Sequence, residues 1–247
     1  MTSSASFGRN GRLGAIIPAN NSVLEPEWWS MLPPGVALYA TRILARGDLT
    51  PDAVRKMEEN VDRAVDERAA TGVDVIAYCD MVTTFIMEAD WNEAKVAEIE
   101  KRSETPAISA WTALRDALKA LGIKRFALGT PYPVAIHALA PSFFKTHGFD
   151  VVSDSTLDIV KMRDVPKVTP QQVRDFVARI DRKDAEAIVL LATDLPCFSV
   201  IGELEKEFRL PVLTSNQTIL WSAMRAAGKA NSRPAISIPA LGKLFNV

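Results

Sequence analysis

The chain has 247 residues, 48% apolar and 24% charged, and 29 Lys and Arg against 30 Asp and Glu leave a formal charge of −1. That balance removes any global electrostatic case for nucleic acid or an anionic membrane surface. No run approaches the ~18 unbroken apolar residues of a membrane span. Two cysteines, Cys79 and Cys197, make no disulfide framework, and two histidines make no metal cluster. The N-terminal stretch MTSSASFGRNGR has no apolar signal core, so a cytoplasmic protein without a bound metal is expected.

Residues 1–11 are small and polar and read as a disordered leader. Short β-branched runs then alternate with longer helical patterns, as in βαβ units on a parallel sheet. Strands are expected at Leu13–Pro18, Val36–Ile43, Val73–Cys79 and Ala107–Ser109. A second set is expected at Arg125–Gly129, Asp150–Ser153, Ala187–Leu191 and Val212–Thr214. One helix is expected over Thr50–Ala70, with Thr50 as N-cap and Pro51 at the first helical position. Thr169-Pro170 repeats that start signal before QQVRDFVARI. Gly122 and Gly228 follow alanine-rich helices and read as the residues just past helix ends.

The chain repeats itself. VDVIAYCD (73–80) aligns with AEAIVLLA (185–192) at an offset of 112, and RLGAIIP (12–18) with RFALGTP (125–131) at 113. The segment TPAISAWTALRDALKALG from Thr105 pairs, in chain order, with LPVLTSNQTILWSAMRAAG from Leu210. The pattern implies an α/β protein of two pseudo-symmetric, Rossmann-like halves, each a short parallel sheet flanked by helices. Residues 12–120 plus 218–247 would form one half and 121–217 the other, with the site in the cleft between them. In that register Asp80 faces Ala192, so the duplicated site no longer matches itself.

In open parallel sheets ligands sit beyond the carboxyl ends of strands. Five polar segments occupy such ends: PANNS (18–22), CDMVTT (79–84), TPY (130–132), TDLPC (193–197) and TSNQ (214–217). All five are expected in one crevice. The asparagines of PANNS can donate amide hydrogens to a carboxylate or an enolate oxygen, or simply make an Asx-turn. Asp80 suits a general base whose pKa is raised by desolvation, or a helix N-cap. Cys197 stands near a helix start that would lower its pKa, although burial as a small apolar residue is the commoner fate of a free cysteine. Tyr132 can give its hydroxyl to a substrate oxygen or pack the rim. His147 complements a helix C-terminus; neither it nor His137 suggests catalysis.

These segments resemble those of the aspartate/glutamate racemase superfamily, within it the maleate cis-trans isomerases and arylmalonate decarboxylases. GRLGAIIPANNSVLEPE is similar to the isomerase N-terminal segment, and GTPY and PVLTSNQTILW match further segments, so that the likeness spans residues 12–230. The resemblance implies two α/β domains with the site between them, no metal or organic cofactor, and cysteine chemistry on an enolate-like state. Carried across, the first catalytic position falls on Asp80, with Cys79 one residue early. The second falls on Ala192, with Cys197 five residues late. The first-loop asparagine falls on Asn21 and the hydroxyl-donating tyrosine on Tyr132, whereas a further asparagine is replaced near Thr156.

The expected function is therefore a cofactor-independent isomerase or decarboxylase acting on a small dicarboxylate or related acid. Asp80, Tyr132 and Cys197 are its candidate catalytic groups. Asn21, Met81, Val82, Thr130, Ala192, Thr193 and Asp194 are its candidate substrate contacts. The alternatives are a non-catalytic carboxylate-binding relative, or a hydratase or hydrolase in which Asp80 activates water. The expected partners are a small carboxylate and a second copy of the chain, the latter suggested by the adjacent Trp28 and Trp29; neither nucleic acid nor membrane is expected.

Overall fold

In a computed structural model describing residues 7–87, 89–230 and 238–247, the alternating pattern is realised as two parallel four-stranded sheets. The first half runs β1 (Gly11–Pro18), α1 (Leu24–Met31), β2 (Val36–Ile43), α2 (Pro51–Glu58), α3 (Val61–Ala70), β3 (Val75–Tyr78), α4 (Thr83–Ile86), α5 (Trp91–Ser103), β4 (Ala107–Ser109) and α6 (Ala110–Ala120). The second runs β5 (Arg125–Thr130), α7 (Val134–His137), α8 (Ala140–Thr146), β6 (Asp150–Thr156), α9 (Pro170–Arg179), β7 (Ala187–Leu190), α10 (Ile201–Phe208), β8 (Val212–Thr214) and α11 (Ser215–Ala230). A 3-10 segment, Met162–Lys167, precedes α9.

The strand orders are β2-β1-β3-β4 and β6-β5-β7-β8, the same order in each half. Each sheet reverses its winding between its first and third strands, β1 and β3 or β5 and β7. Those reversals are the switch points at whose carboxyl ends a crevice opens. Of the central strands, β3 and β7 are buried throughout and β1 and β5 are buried except near their starts, as expected for strands covered by helices on both faces.

Local chemistry explains most boundaries. The Thr50 side chain accepts from the Ala53 N–H, with Pro51 opening α2. Thr169 and Gln172 form a capping box at the start of α9. Gly122 follows α6 with φ of +69°, a conformation glycine adopts freely. The helix expected over Thr50–Ala70 is instead α2 and α3, separated at Glu59–Asn60, where the Asn60 amide turns back to the carbonyls of Lys56 and Met57. Gly228 does not end a helix; it lies inside α11, which packs along α6 and the first sheet, and such packing outweighs the ~1 kcal/mol helix penalty of one glycine. Of the leader expected at 1–11, residues 1–6 lie outside the described residues, 7–10 form a turn, and Gly11 opens β1.

Aromatic side chains join the halves beneath the crevice. Trp111 of α6 meets Phe143 and Phe144 of α8 edge-on at 4.8 and 5.7 Å. Phe85 of α4 meets Tyr132 and Phe143 at 6.3 and 5.6 Å. Each such pair adds about 0.5–1.5 kcal/mol beyond its buried area, so the geometry across the cleft is set by rigid packing. Trp28 is buried, its indole N–H donating to the Asn216 carbonyl at 3.1 Å, while Trp29 is exposed.

Candidate active site

Four of the five polar strand ends converge. After β1, the Asn21 side-chain oxygen accepts the N–H groups of Val23 and Leu24 at 2.9 and 3.1 Å, which starts α1. Its amide crosses the cleft to the Thr193 hydroxyl at 3.1 Å. Asn20 donates to Asp194 Oδ2 at 3.3 Å. After β3, Asp80 Oδ1 accepts both the N–H and the hydroxyl of Thr83, at 2.9 and 2.7 Å. One carboxylate oxygen thus caps the first turn of α4, and the carboxyl as a whole borders a cavity of about 40 Å³.

From the second half, β5 delivers Tyr132 and β7 delivers Thr193 and Asp194 to the same cavity. Ala192, at the end of β7, has φ of +137°. A non-glycine residue in that region costs about 1–3 kcal/mol and marks a backbone held by its surroundings. Here the Ala192 N–H is fixed by the Ser215 hydroxyl at 3.1 Å. The rest of the wall is Pro18, Asn20, Met81 and Val82, with an apolar cover of Ala45, Leu49, Val54, Met57, Met162 and Val165. Among the described residues no Arg, Lys or His borders the cavity.

Two carboxyl groups buried side by side with no bordering cation among the described residues are each harder to ionise. Burial raises the Asp80 carboxyl, against the lowering effect of its bonds from Thr83 and Val82. Burial raises Asp194 to about 7, and the charge of Asp80 pushes it the same way. Tyr132 is held well above the ordinary tyrosine value by burial and by both aspartates, so it stays a neutral donor. No partner for its hydroxyl is present among the described residues. Behind Asp80, Glu58 accepts the Tyr78 hydroxyl, and burial with the nearby Asp80 charge helps bring it to about 7. Among the described residues no group of three or more His, Cys, Asp or Glu is placed to hold a metal ion.

Of the residues singled out in the sequence, Asn21, Asp80, Met81, Val82, Tyr132, Thr193 and Asp194 border the cavity, and three do not. Cys197 does not border the cavity, and Glu27 of α1 accepts the N–H groups of Cys197 and Phe198 at 2.7 and 2.8 Å. Burial and the Glu27 charge push its thiol well up, the reverse of an activated nucleophile. Thr130 is fully buried below the turn, its hydroxyl shared between His137 Nδ1 at 2.9 Å and the Tyr132 N–H at 3.3 Å. Ala192 shapes the backbone without bordering the cavity. Cys79 is also buried and pushed up, its Sγ donating to the Ala77 carbonyl at 3.4 Å. The fifth segment, TSNQ, is structural: Asn216 ties Glu27 and the Thr193 carbonyl together at 2.7 and 2.9 Å, and Gln217 donates to the Leu241 carbonyl at 2.6 Å. Thr156, where the resemblance departs, donates its hydroxyl to the Tyr132 carbonyl.

Sequence pattern gave no cue to Glu58 or Glu27, whose burial depends on tertiary packing. Asn20 was within reach, being the other asparagine of PANNS.

The family model described as arylmalonate decarboxylase matches residues 13–244. The chain belongs to that family. It is 25% identical to maleate isomerase from Geobacillus stearothermophilus, over 89% of this chain and 93% of the relative. It is 24% identical to arylmalonate decarboxylase from Bordetella bronchiseptica, over 94% and 92%. Among solved structures, a maleate cis-trans isomerase of Nocardia farcinica, a mutant with a covalently bound succinylcysteine intermediate, superposes with a TM-score of 0.87 at 23% identity, covering 95% of this chain and 98% of the other. These likenesses agree with the two pseudo-symmetric halves. They also sharpen the departure at the site, since the relative carries its intermediate on a cysteine and neither cysteine of this chain borders the cavity.

Proposed function

We propose that the chain is a cofactor-independent enzyme that moves a proton beside the carboxyl or carbonyl group of a small acid, through an enolate-like state. The observation that carries this reading is the meeting of Asp80, Asp194 and Tyr132, from both halves, on the wall of one small cavity. In a deprotonation, the ionised Asp80 takes a hydrogen from the carbon beside the carbonyl. The C–H electron pair moves onto the carbonyl oxygen, where Tyr132 and the Thr193 hydroxyl can donate hydrogen bonds. Asp194, its carboxyl raised to about 7 by burial and so able to carry a proton, returns a proton to the carbon from the opposite side. In a decarboxylation, the C–C bond breaks, carbon dioxide leaves, and the resulting enediolate takes its proton from Asp194. Isomerase and decarboxylase names among the relatives support this class of reaction. Thiol addition to a double bond is not part of it, because an ionised carboxylate is a much poorer carbon nucleophile than a thiolate.

A second reading, hydration or hydrolysis, is favoured by the same carboxyl pair, since two acids that share a proton can activate a water. Proton NMR in deuterated buffer separates the two with a panel of maleate, substituted malonates, and hydroxy and amino acids. Deuterium uptake or carbon dioxide release, falling at least about a hundredfold in Asp80→Asn, is the expected result. Addition of solvent oxygen would favour the second reading. Binding without any turnover across the panel would sink both and leave a carboxylate-binding protein.

A further inference from the structure

A second chamber of about 370 Å³ adjoins the first and shares Asn20, Ala45 and Met162 with it. Its character is opposite. Arg46, Lys161 and Arg163 line it, with Asp48 as the one acidic residue on the wall. All four are exposed, and no ion pair or side-chain hydrogen bond forms on the three cations among the described residues. Asp164 feels Lys161 and Arg163, but its side chain is bonded to Lys167 at 2.6 Å. Both halves build the chamber. The loop after β2 meets the loop after β6 through the bridge between Asp48 and Lys161, the Leu49 N–H to the Val160 carbonyl at 2.8 Å, and the Met162 N–H to the Gly47 carbonyl at 3.2 Å.

Size and charge together constrain a ligand. About 40 Å³ admits only a few atoms, since one water needs about 10–15 Å³ on this measure. A larger acid has room to extend past the shared Asn20, Ala45 and Met162 into the outer chamber. An anion is repelled by Asp80 and Asp194 inside and attracted by three free cations outside. We propose that the outer chamber binds a distal anionic group, carboxylate or phosphate, of an elongated substrate whose reacting carbonyl end sits between Asp80 and Asp194. The position of the reacting end rests on the function proposed above; the anion site itself rests only on the chamber.

The test measures binding, not turnover. Straight-chain α,ω-dicarboxylates of increasing length are titrated calorimetrically at low salt against monocarboxylates of equal length. The expected result is a gain of about tenfold for the dicarboxylate at one or two chain lengths. The gain should fall to about one in the triple variant Arg46→Ala/Lys161→Ala/Arg163→Ala, and should shrink in the parent as salt is raised. It should persist in Asp80→Asn, a variant that removes the proposed chemistry and leaves the chamber intact. No gain at any length in the parent, or a gain that survives in the triple variant, overturns the proposal whatever the enzyme's activity. Replacing the distal carboxylate by a phosphonate names the group: the tail with the larger gain is the one the chamber fits.

Discussion

The two halves share a strand order and differ at the strand ends that border the cavity. After β3 the backbone runs directly into Asp80, whose side chain caps α4 and borders the cavity at once. After β7 the equivalent residue is Ala192, in a positive-φ conformation, and the acid arrives two residues later as Asp194, held by Asn20 of the other half. Backbone symmetry therefore does not fix the position of reactive groups. A strand end supplies a place, and the local turn decides which side chain fills it. The halves also act on each other electrostatically, because the Asp80 charge disfavours ionisation of Asp194.

The most severe way to break this pairing is Asp80→Asn. The amide keeps an oxygen to accept from Thr83 and removes the base, so folding should survive while turnover drops by about 10²–10⁴. Steady-state kinetics beside a thermal melt check it; unchanged kcat would remove Asp80 from the mechanism. Asp194→Asn should cost less, about tenfold to a hundredfold, and should change the shape of the pH profile. With its carboxyl raised to about 7, Asp194 is protonated below that value and ionised above it. As the acid of the pair, it makes kcat/KM fall as pH rises through 7. That falling limb should be absent from the variant, and a limb retained there would assign it to another group.

A smaller effect concerns the contact that holds the second half's loop. Burial raises Glu27 from 4.5 to about 7 while it accepts bonds from Cys197, Phe198 and Asn216. Glu58 and Asp194 are raised to the same range. The folded chain then holds more protons than the unfolded chain between about pH 4.5 and 7. Stability therefore falls as pH rises through that window and levels off above it. Glu27→Gln removes its share of the slope, up to about 3 kcal/mol across the window. Denaturant melts at several pH values read that slope; an equal slope in the variant would show that Glu27 ionises normally.

The sequence carried the architecture because strand and helix patterns are local. β2, β4 and β8 begin and end where Val36–Ile43, Ala107–Ser109 and Val212–Thr214 indicated, and Thr50-Pro51 and Thr169-Pro170 mark real helix starts. Asp80, Asn21 and Tyr132 were legible because strand ends in this topology point at the crevice. The internal repeat located the register at Ala192, and Asp194, two residues on, belonged to the same strand-end segment; the positive φ of Ala192 is a backbone feature that no periodicity reports. The placement of the Cys197 backbone was equally invisible, since its N–H is bonded to Glu27, 170 residues earlier in the chain. TSNQ looked like a binding segment because its polar groups are as dense as those of a site. Three-dimensional placement shows the Asn216 and Gln217 amide N–H groups donating to Glu27 and to the Thr193 and Leu241 carbonyls, away from the cavity.

The smallest expected effect is also the one that isolates this chain from the thiol chemistry reported for its relative. Cys79 is fully buried and Cys197 2% exposed, both thiols are pushed up by burial, and neither borders the cavity. Cys197→Ser should leave kcat and KM within about twofold and cost about 1–3 kcal/mol in stability, as a hydroxyl replaces a thiol in a dry site. Iodoacetamide should label neither cysteine in the folded protein at neutral pH, because only the thiolate attacks and access is closed. Labelling should appear in step with unfolding as denaturant is added. Fast labelling of Cys197 in the native protein, with loss of turnover that a substrate analogue prevents, would return the thiol to the site and shift the catalytic pair from Asp80 and Asp194 to Asp80 and Cys197.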